Sequence, residues 1–329
     1  MQRILSVPAS EDGTRLDRFL RRQVEGLGQA QIEKLLRGGK IRVDGAKAKS
    51  NFRIAANMDV SVPEFLFISE GNGQKPRASK PAIVDSAAAQ KQLQAMIVSS
   101  TGDWMALDKP AGLAVQGGSG TSRHIDGMLS AAYPDNRPKL VHRIDKDTSG
   151  LLLVACGLEP ARQLTKAFEL GHIQKAYLAV VIGDPGAYGV IDAPLAKSGG
   201  QGNQKMVVDT DTGLAAQSVY LRLAHIGGMA LVALRPLTGR THQLRVHMAS
   251  HGTPILGDGK YAGAAAHPST QFARQLHLHA QFLTLPDGHA LSAPLPSHMA
   301  DAISVLDCTD KVPPHMPDFP MTESSRRAR

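Results

Sequence analysis

Ten consecutive residues, His142-Arg143-Ile144-Asp145-Lys146-Asp147-Thr148-Ser149-Gly150-Leu151, bring together two carboxylates, three basic side chains and a turn. They run straight into the apolar string Leu151-Leu152-Leu153-Val154-Ala155. A short apolar run of that kind predicts a buried strand. The charged residues then stand at the rim of a core, where a scaffold can aim them. A carboxylate aimed in this way can attack an electrophilic carbon or take a proton, and Asp145 is the candidate. Arg143 precedes it by two residues, and on an extended segment the two side chains share a face. An isolated Asp–Arg pair at the surface contributes little. The turn expected at Thr148-Ser149-Gly150 and the buried strand behind it give this pair a defined setting.

Three other segments carry reactive or binding side chains. In Gln174-Lys175-Ala176-Tyr177-Leu178-Ala179-Val180-Val181-Ile182-Gly183, Tyr177 opens an apolar strand. In Leu237-Thr238-Gly239-Arg240-Thr241-His242-Gln243-Leu244-Arg245-Val246-His247-Met248-Ala249, residues His242, Arg245 and Ala249 fall at helical spacing, while Leu244 and Met248 lie on another face. His247 and His251 could be read as an i,i+4 metal pair, but no third ligand or HExxH glutamate accompanies them. They are read as structural, like His277 and His279, so no metal is expected. In the fourth segment, Leu107-Asp108-Lys109-Pro110-Ala111-Gly112 leads to the glycine-rich Gly117-Gly118-Ser119-Gly120. Backbone N–H groups of such a loop can approach a phosphate. Neither a Walker lysine nor GxGxxG is present, and no cofactor is expected.

The elements that must hold these segments lie between residues 93 and 307. Short apolar runs alternate there with helical patterns near 123–132 and 159–171, which predicts an α+β fold. Residues 12–63 read as a separate unit. Leu16, Phe19 and Leu20, then Ile32, Leu35 and Leu36, have helical spacing; Lys40-Ile41-Arg42-Val43 alternates as a strand, and Asp44-Gly45 is a hairpin turn signal. Residues 64–92, rich in Gly, Lys, Ser and Pro before an Ala/Gln run, read as a flexible basic linker. The Pro-rich tail from 308 to 329 reads as disordered.

The chain has 329 residues, 42% of them hydrophobic but only 4% aromatic, so its core must rest on aliphatic side chains. A net charge of +8 favours polyanions, nucleic acid above all, although charge alone equally fits a solvated basic surface. The two cysteines, Cys156 and Cys308, lack CxxC spacing and imply no disulfide framework. No apolar run approaches the ~18 residues of a membrane span. The N-terminus does not resemble a secretory signal, so the cytoplasm is the expected location.

The ten-residue element resembles the HRLDxxTSGLL signature of the RluA-type RNA pseudouridine synthases, with Ile144 where Leu is usual. Tyr177 matches a KxYxAxVxG strand, the 239–247 segment matches GRTHQLRVH, and the loop ending in GGSG is similar to that of the RluC-like branch. All four motifs occur in the family's order. Residues 12–63 resemble the S4 RNA-binding domain through RLDxFL and LLRxGxIxVDG, with Asn57-Met58-Asp59 in place of the usual Gly-Asp pair.

The resemblance implies a largely antiparallel mixed sheet with flanking helices and a cleft across its middle, beside a small S4-like α/β domain. It implies conversion of uridine in RNA to pseudouridine without a cofactor. Asp145 would be the catalytic aspartate, Tyr177 would lie against the uracil, and Arg240 would pair with Asp145 and keep it ionised. Arg143 would fill the space left by the flipped base, and Leu244 would contact it. Arg15, Arg18, Lys34, Arg37, Lys40 and Arg42 would meet phosphates. The expected partner is large-subunit ribosomal RNA and the expected state a monomer. A non-catalytic S4-type assembly factor, or the same chemistry on tRNA, are the alternatives.

Overall fold

The computed structural model describes residues 2–24, 27–67, 86–117, 123–200 and 204–320. They form two compact units, residues 1–78 and 79–329. The first joins strand β1 (Gln2–Ser6), helices α1 (Leu16–Gln23) and α2 (Gln29–Arg37), and strands β2 (Arg42–Val43) and β3 (Asp59–Pro63). The sheet runs β1-β3-β2, wholly antiparallel. Leu16, Phe19, Leu20, Ile32, Leu35 and Leu36, the residues with helical spacing, are buried in its core. Asp44 and Gly45 both take positive φ, the conformation of a tight hairpin turn, and Val43 pairs with Ala46 across it. Asn57 takes φ +67°, which asparagine tolerates better than most residues. The unit begins before residue 12, because β1 pairs along its whole length with β3.

The second unit holds helix α3 (Ser86–Met96), strands β4 (Ile97–Ser100) and β5 (Trp104–Lys109), helix α4 (Ile125–Ala132), strands β6 (Lys139–Leu140) and β7 (Ser149–Ala155), helix α5 (Leu158–Glu169) and strand β8 (Gln174–Ile182). There follow β9 (Tyr188–Asp192), β10 (Leu195–Ser198), β11 (Lys205–Val208), β12 (Gln217–Ile226), β13 (Met229–Pro236), helices α6 (Gln243–Ser250) and α7 (Gly259–Ala262), β14 (Leu278–Thr284), β15 (Ala290–Ser292) and helix α8 (Ser297–Val305). The main sheet runs β4-β5-β7-β14-β8-β13-β12-β9, with β6 on β7 and β15 on β14. β7 and β14 are parallel and the other pairs antiparallel, a mixed, largely antiparallel α+β architecture.

β7 is buried along its whole length, and from Leu151 on it is apolar because both its faces are covered. Leu152 and Val154 pack in one cluster with Ile125, Met128 and Leu129 of α4, while Leu151, Leu153 and Ala155 pack in another with Ala161 of α5. β8 divides its side chains in the same way, Ala179 and Val181 joining Leu244 and Met248 of α6, and Val180 joining Ala302 and Ile303 of α8.

Two expected boundaries are corrected. The 64–92 linker gives way to structure at both ends: Glu64–Leu66 forms a 3₁₀ turn, and the Ala/Gln run from Ser86 is the first half of α3. Ala and Gln are strong helix formers, and Ala89 and Leu93, four apart, bury one side of it. Residues 68–85 lie outside the described residues. The 308–329 tail is corrected over 308–320, where Cys308 is buried and Val312 and Phe319 dock on the core; residues 321–329 lie outside the described residues. A Pro-rich strap needs few anchors to be held, and composition does not show them. Among the described residues, no helix is long and apolar enough to cross a membrane.

Candidate active site

Strand register brings the site together. Lys109 pairs with Gly150, Gly150 with Ala280, Ala280 with Tyr177 and Tyr177 with Leu234, a row across five strands. Directly paired residues share a face of the sheet. The row therefore sets Tyr177 two strands from the start of β7, where the charged loop enters. Gly150 makes the central step possible: its φ is +103°, and a Cβ there would stand 2.3 Å from the Ala280 carbonyl oxygen. Tyr177 packs at the seam between the cluster beneath α4 and the cluster beneath α6.

A cleft of about 1030 Å³ opens over this seam. Asp145, Tyr177, Arg143, Leu244 and Arg240 all line it. Asp145 is half-buried and begins the turn in which the Thr148 N–H donates to the Asp145 carbonyl (3.2 Å). The turn thus lies just before the expected Thr148-Ser149-Gly150, and Ser149 and Gly150 already belong to β7. Burial, and secondly the charge of Asp145, push the Tyr177 phenol well above its ordinary range, so it is protonated at neutral pH. Arg143 is exposed and donates to the Thr241 hydroxyl (3.2 Å) instead of pairing with Asp145.

The expected Arg240–Asp145 pair is not formed. Arg240 precedes α6 on the exposed rim, and its Nε donates to the Ala215 carbonyl (3.0 Å). Arg245, one turn into α6, points inward and is 4% exposed. It makes a bidentate pair with Asp258 (2.8 and 2.6 Å), and its Nη1 lies 3.8 Å from Asp147. Burial would lower its pKa, but Asp258, then Asp145 and Asp147, outweigh that and hold it raised. Arg245 is therefore the buried arginine beside the acidic turn. Sequence spacing put both arginines in one motif and could not show which faced inward. The buried Asp258, 13 residues on, is the signal that separates them.

Lys109 was not marked as a site residue by its sequence context, yet it is wholly buried behind the loop. Its ammonium donates to the carbonyls of Pro110 (2.9 Å), Leu113 (2.9 Å) and Lys146 (3.0 Å), tying the charged turn to the 110–113 bend. Burial lowers its pKa to about 8, against the pull of Asp147, Asp145 and Asp108. His142, at the loop's start, stacks on Phe168 (4.2 Å) and accepts the Leu153 N–H (2.8 Å). Burial, then Lys175, lower it to about 3, so it stays a neutral acceptor. His242 has left-handed backbone (φ 54°) at the start of α6, and its Nδ1 meets the Tyr261 hydroxyl at 2.6 Å. Tyr261 in turn lies under Arg245, 5.2 Å from its ring centre.

His247 uses both ring nitrogens within the protein, on Ser218 Oγ (2.9 Å) and the Ala193 carbonyl (3.0 Å). The Nε2 of His251 faces the Pro185 carbonyl (3.3 Å). His279 meets Ser149 Oγ (2.9 Å), and His277 the Gln275 carbonyl (2.9 Å). Burial lowers both to about 4. Most of the GGSG loop, from Gly118, lies outside the described residues.

In the first unit, Arg18, Lys34, Arg37, Lys40 and Arg42 are exposed. Arg15 is committed to Asp17 (2.6 Å), and Arg42 to the carbonyls of Gly39 (3.2 Å) and Gly45 (2.9 Å) around the hairpin.

The RNA pseudouridylate synthase family model matches residues 103–250, the stretch that holds the loop, Tyr177 and Arg245. The chain is 34% identical over 276 residues to ribosomal large subunit pseudouridine synthase C of Escherichia coli strain K12, covering 83% of this chain and 82% of that one. The chain belongs to the RNA pseudouridylate synthase family. Within it the likeness is to the RluA type and its RluC-like branch, and the protein is an RNA pseudouridine synthase. The synthase C of Vibrio cholerae is 34% identical over 303 residues, covering 89% of this chain and 93% of its own. The solved structure of human RNA pseudouridylate synthase domain containing 4 superposes with a TM-score of 0.57 at 28% identity. It covers 68% of this chain and 97% of the human one.

Proposed function

We propose that the enzyme isomerises uridine in large-subunit ribosomal RNA, with Asp145 as the carboxylate that acts on the nucleoside. The observation that carries this reading is the cleft, where Asp145 and Tyr177 meet under the field of a buried arginine. The N-glycosidic bond breaks, the uracil turns, and C5 bonds to the ribose carbon; the proton leaving C5 is matched by one gained at N1. Asp145 either attacks the anomeric carbon or takes a ribose proton, and both routes need it ionised. Arg245, rather than Arg240, supplies the buried positive charge beside the acidic turn. Arg240 on the rim is left to face RNA.

Tyr177 stacks on the uracil. As a phenol in the free enzyme it is no standing base. If Asp145 is the nucleophile, its charge disappears in the covalent adduct, one of the two causes that raise Tyr177 is removed, and the tyrosine comes nearer to accepting the C5 proton. A uridine in structured RNA must leave its stack to reach the cleft, at a cost of a few kcal/mol. Arg143, exposed at the cleft and planar, suits the vacated space. Leu244 gives the base an apolar contact.

The first unit serves as an S4-like RNA anchor through Arg18, Lys34, Arg37 and Lys40. The ribosomal substrate is supported by the names of the curated relatives. The same reading has the enzyme work as a monomer in the cytoplasm. The test is pseudouridine mapping of RNA from cells that lack the protein and carry either the wild type or Asp145→Asn. A large-subunit position should be modified only with the wild type, while the variant still binds RNA. Modification restored by Asp145→Asn would refute the assignment of Asp145.

A further inference from the structure

The first unit carries a second cavity, a groove of about 580 Å³ between the end of α2 and the Glu64–Leu66 turn. Gln31, Lys34, Leu35, Arg37, Lys40 and Phe65 line it, and among the described residues no carboxylate does. Phe65 is 56% exposed, in a protein with few aromatic residues. It is not on a free end of chain. Leu66 and Phe67 dock on the unit's core, Arg3 lies 4.5 Å from the centre of the Phe67 ring, and the Phe67 N–H closes the turn on Glu64 (2.9 Å). The turn is therefore anchored on both sides of a ring it leaves in solvent. Across the groove, Leu35 and Leu36 point into the core, which turns Lys34 and Arg37 outward on the last turn of the helix.

We propose that this groove holds one unpaired nucleotide of the RNA, its base stacked on Phe65, its edge met by the Gln31 amide, and its phosphates by Lys34, Arg37 and Lys40. The proposal rests on reading the first unit as an RNA anchor and adds the form of RNA it selects. A base inside a duplex has both faces covered by its neighbours, so away from helix ends an exposed ring can stack only on an unpaired one. A protein partner is disfavoured by the lining. Interface cores are depleted of lysine, whereas here Phe65 stands beside Lys34, Arg37 and Lys40. Gln31 presents a donor and an acceptor on one amide, the pattern that pairs with a base edge.

The test uses the full chain and two probes: oligoadenylate, which offers no uridine to the catalytic cleft, and a G·C duplex whose two ends are closed by non-nucleotide linkers. Affinity is measured as a function of salt. Phe65→Ala should weaken oligoadenylate binding by about 5- to 150-fold, the range for loss of one base–aromatic stack. It should leave the salt slope and the duplex affinity unchanged, because stacking releases no counterions. Phe65→Trp should keep the single-strand affinity, which separates loss of stacking from loss of fold. Unchanged oligoadenylate binding by Phe65→Ala overturns the proposal, as do equal losses on both probes. A self-association of the wild type that Phe65→Ala abolishes would assign the groove to a second copy instead. Replacing Lys34 and Arg37 by Gln identifies which idea has failed. A flattened salt slope with a silent Phe65→Ala removes the stacking groove alone; an unchanged slope removes the RNA anchor beneath it.

Discussion

The catalytic cleft and the basic face of the first unit both depend on cations, and they hold them in opposite ways. Around the cleft, beneath the exposed Arg143 and Arg240, two cations are buried and committed: Arg245 to Asp258 and Asp147, Lys109 to three carbonyls. On the first unit, Arg18, Lys34, Arg37 and Lys40 stand in solvent. Buried, paired charges cannot swing toward a ligand, but they set the field and geometry around the groups that react. Exposed cations give no fixed geometry, but they draw a polyanion from a distance and release its counterions. One region aims and the other attracts.

The contrast breaks most sharply at Arg245. Arg245→Met should abolish detectable isomerisation and cost about 3–5 kcal/mol of stability, because Asp258, 1% exposed, is left buried without its partner. Denaturant unfolding and turnover of a uridine substrate measure both. Adding Asp258→Asn should restore much of the stability and none of the activity, since the orphan charge is gone but the field at Asp145 is not rebuilt. Recovery of both would make Arg245 a purely structural residue. Arg240→Met, on the rim, should shift stability by no more than about 0.5 kcal/mol. If it were the dead variant and Arg245→Met the active one, the assignment of the inward arginine would be reversed.

A smaller effect concerns the buried histidines of the second unit. His277 and His279 sit near 4 when folded, below the ordinary 6.5 of the unfolded chain. The unfolded state therefore binds more protons between those values. The stabilisation is complete above about 6.5 and is lost as pH falls toward 4. The melting temperature should fall across that window, and less steeply in a His277→Gln, His279→Gln double variant. Parallel curves for the two proteins would show that other groups govern the acid response.

The mildest change is expected on the first unit. Lys34→Gln or Lys40→Gln should each lower the slope of log affinity against log salt by about 0.7 to 0.9 per lost phosphate contact, with little change in stability. A catalytic unit that keeps the full slope without residues 1–78 would show that the attracting charge lies elsewhere.

Much of the site could be read from local chemistry. The loop from His142, the apolar β7 and the Tyr177 strand announce themselves because a strand buried on both faces must be continuously apolar, and its flanking turn must be polar. The helical start of the 243–250 segment was visible in its spacing, but not which way its arginines turned. Lys109 carries no local signal of a special role. Its burial depends on the packing of β5 against β7 and on three carbonyls brought from two loops. The misread linker and tail share a cause. Composition reports how much apolar surface a segment carries, not whether a few residues such as Leu93 or Phe319 find a place to dock.

The sequence by itself determined most element types, because propensity, periodicity and short-range spacing act between neighbours along the chain, and the order of its motifs carried the family resemblance. Only the tertiary structure decided that Arg245, not Arg240, is buried beside Asp258 and Asp147, that Lys109 braces the loop, and that Phe65 is left exposed among cations. Each of these depends on atoms far apart in sequence: Asp258 beneath α6, the Lys146 carbonyl against β5, and the core that holds Leu66 and Phe67 while turning Phe65 outward. Burial and long-range pairing set the free energy of a charge, and a linear pattern carries neither.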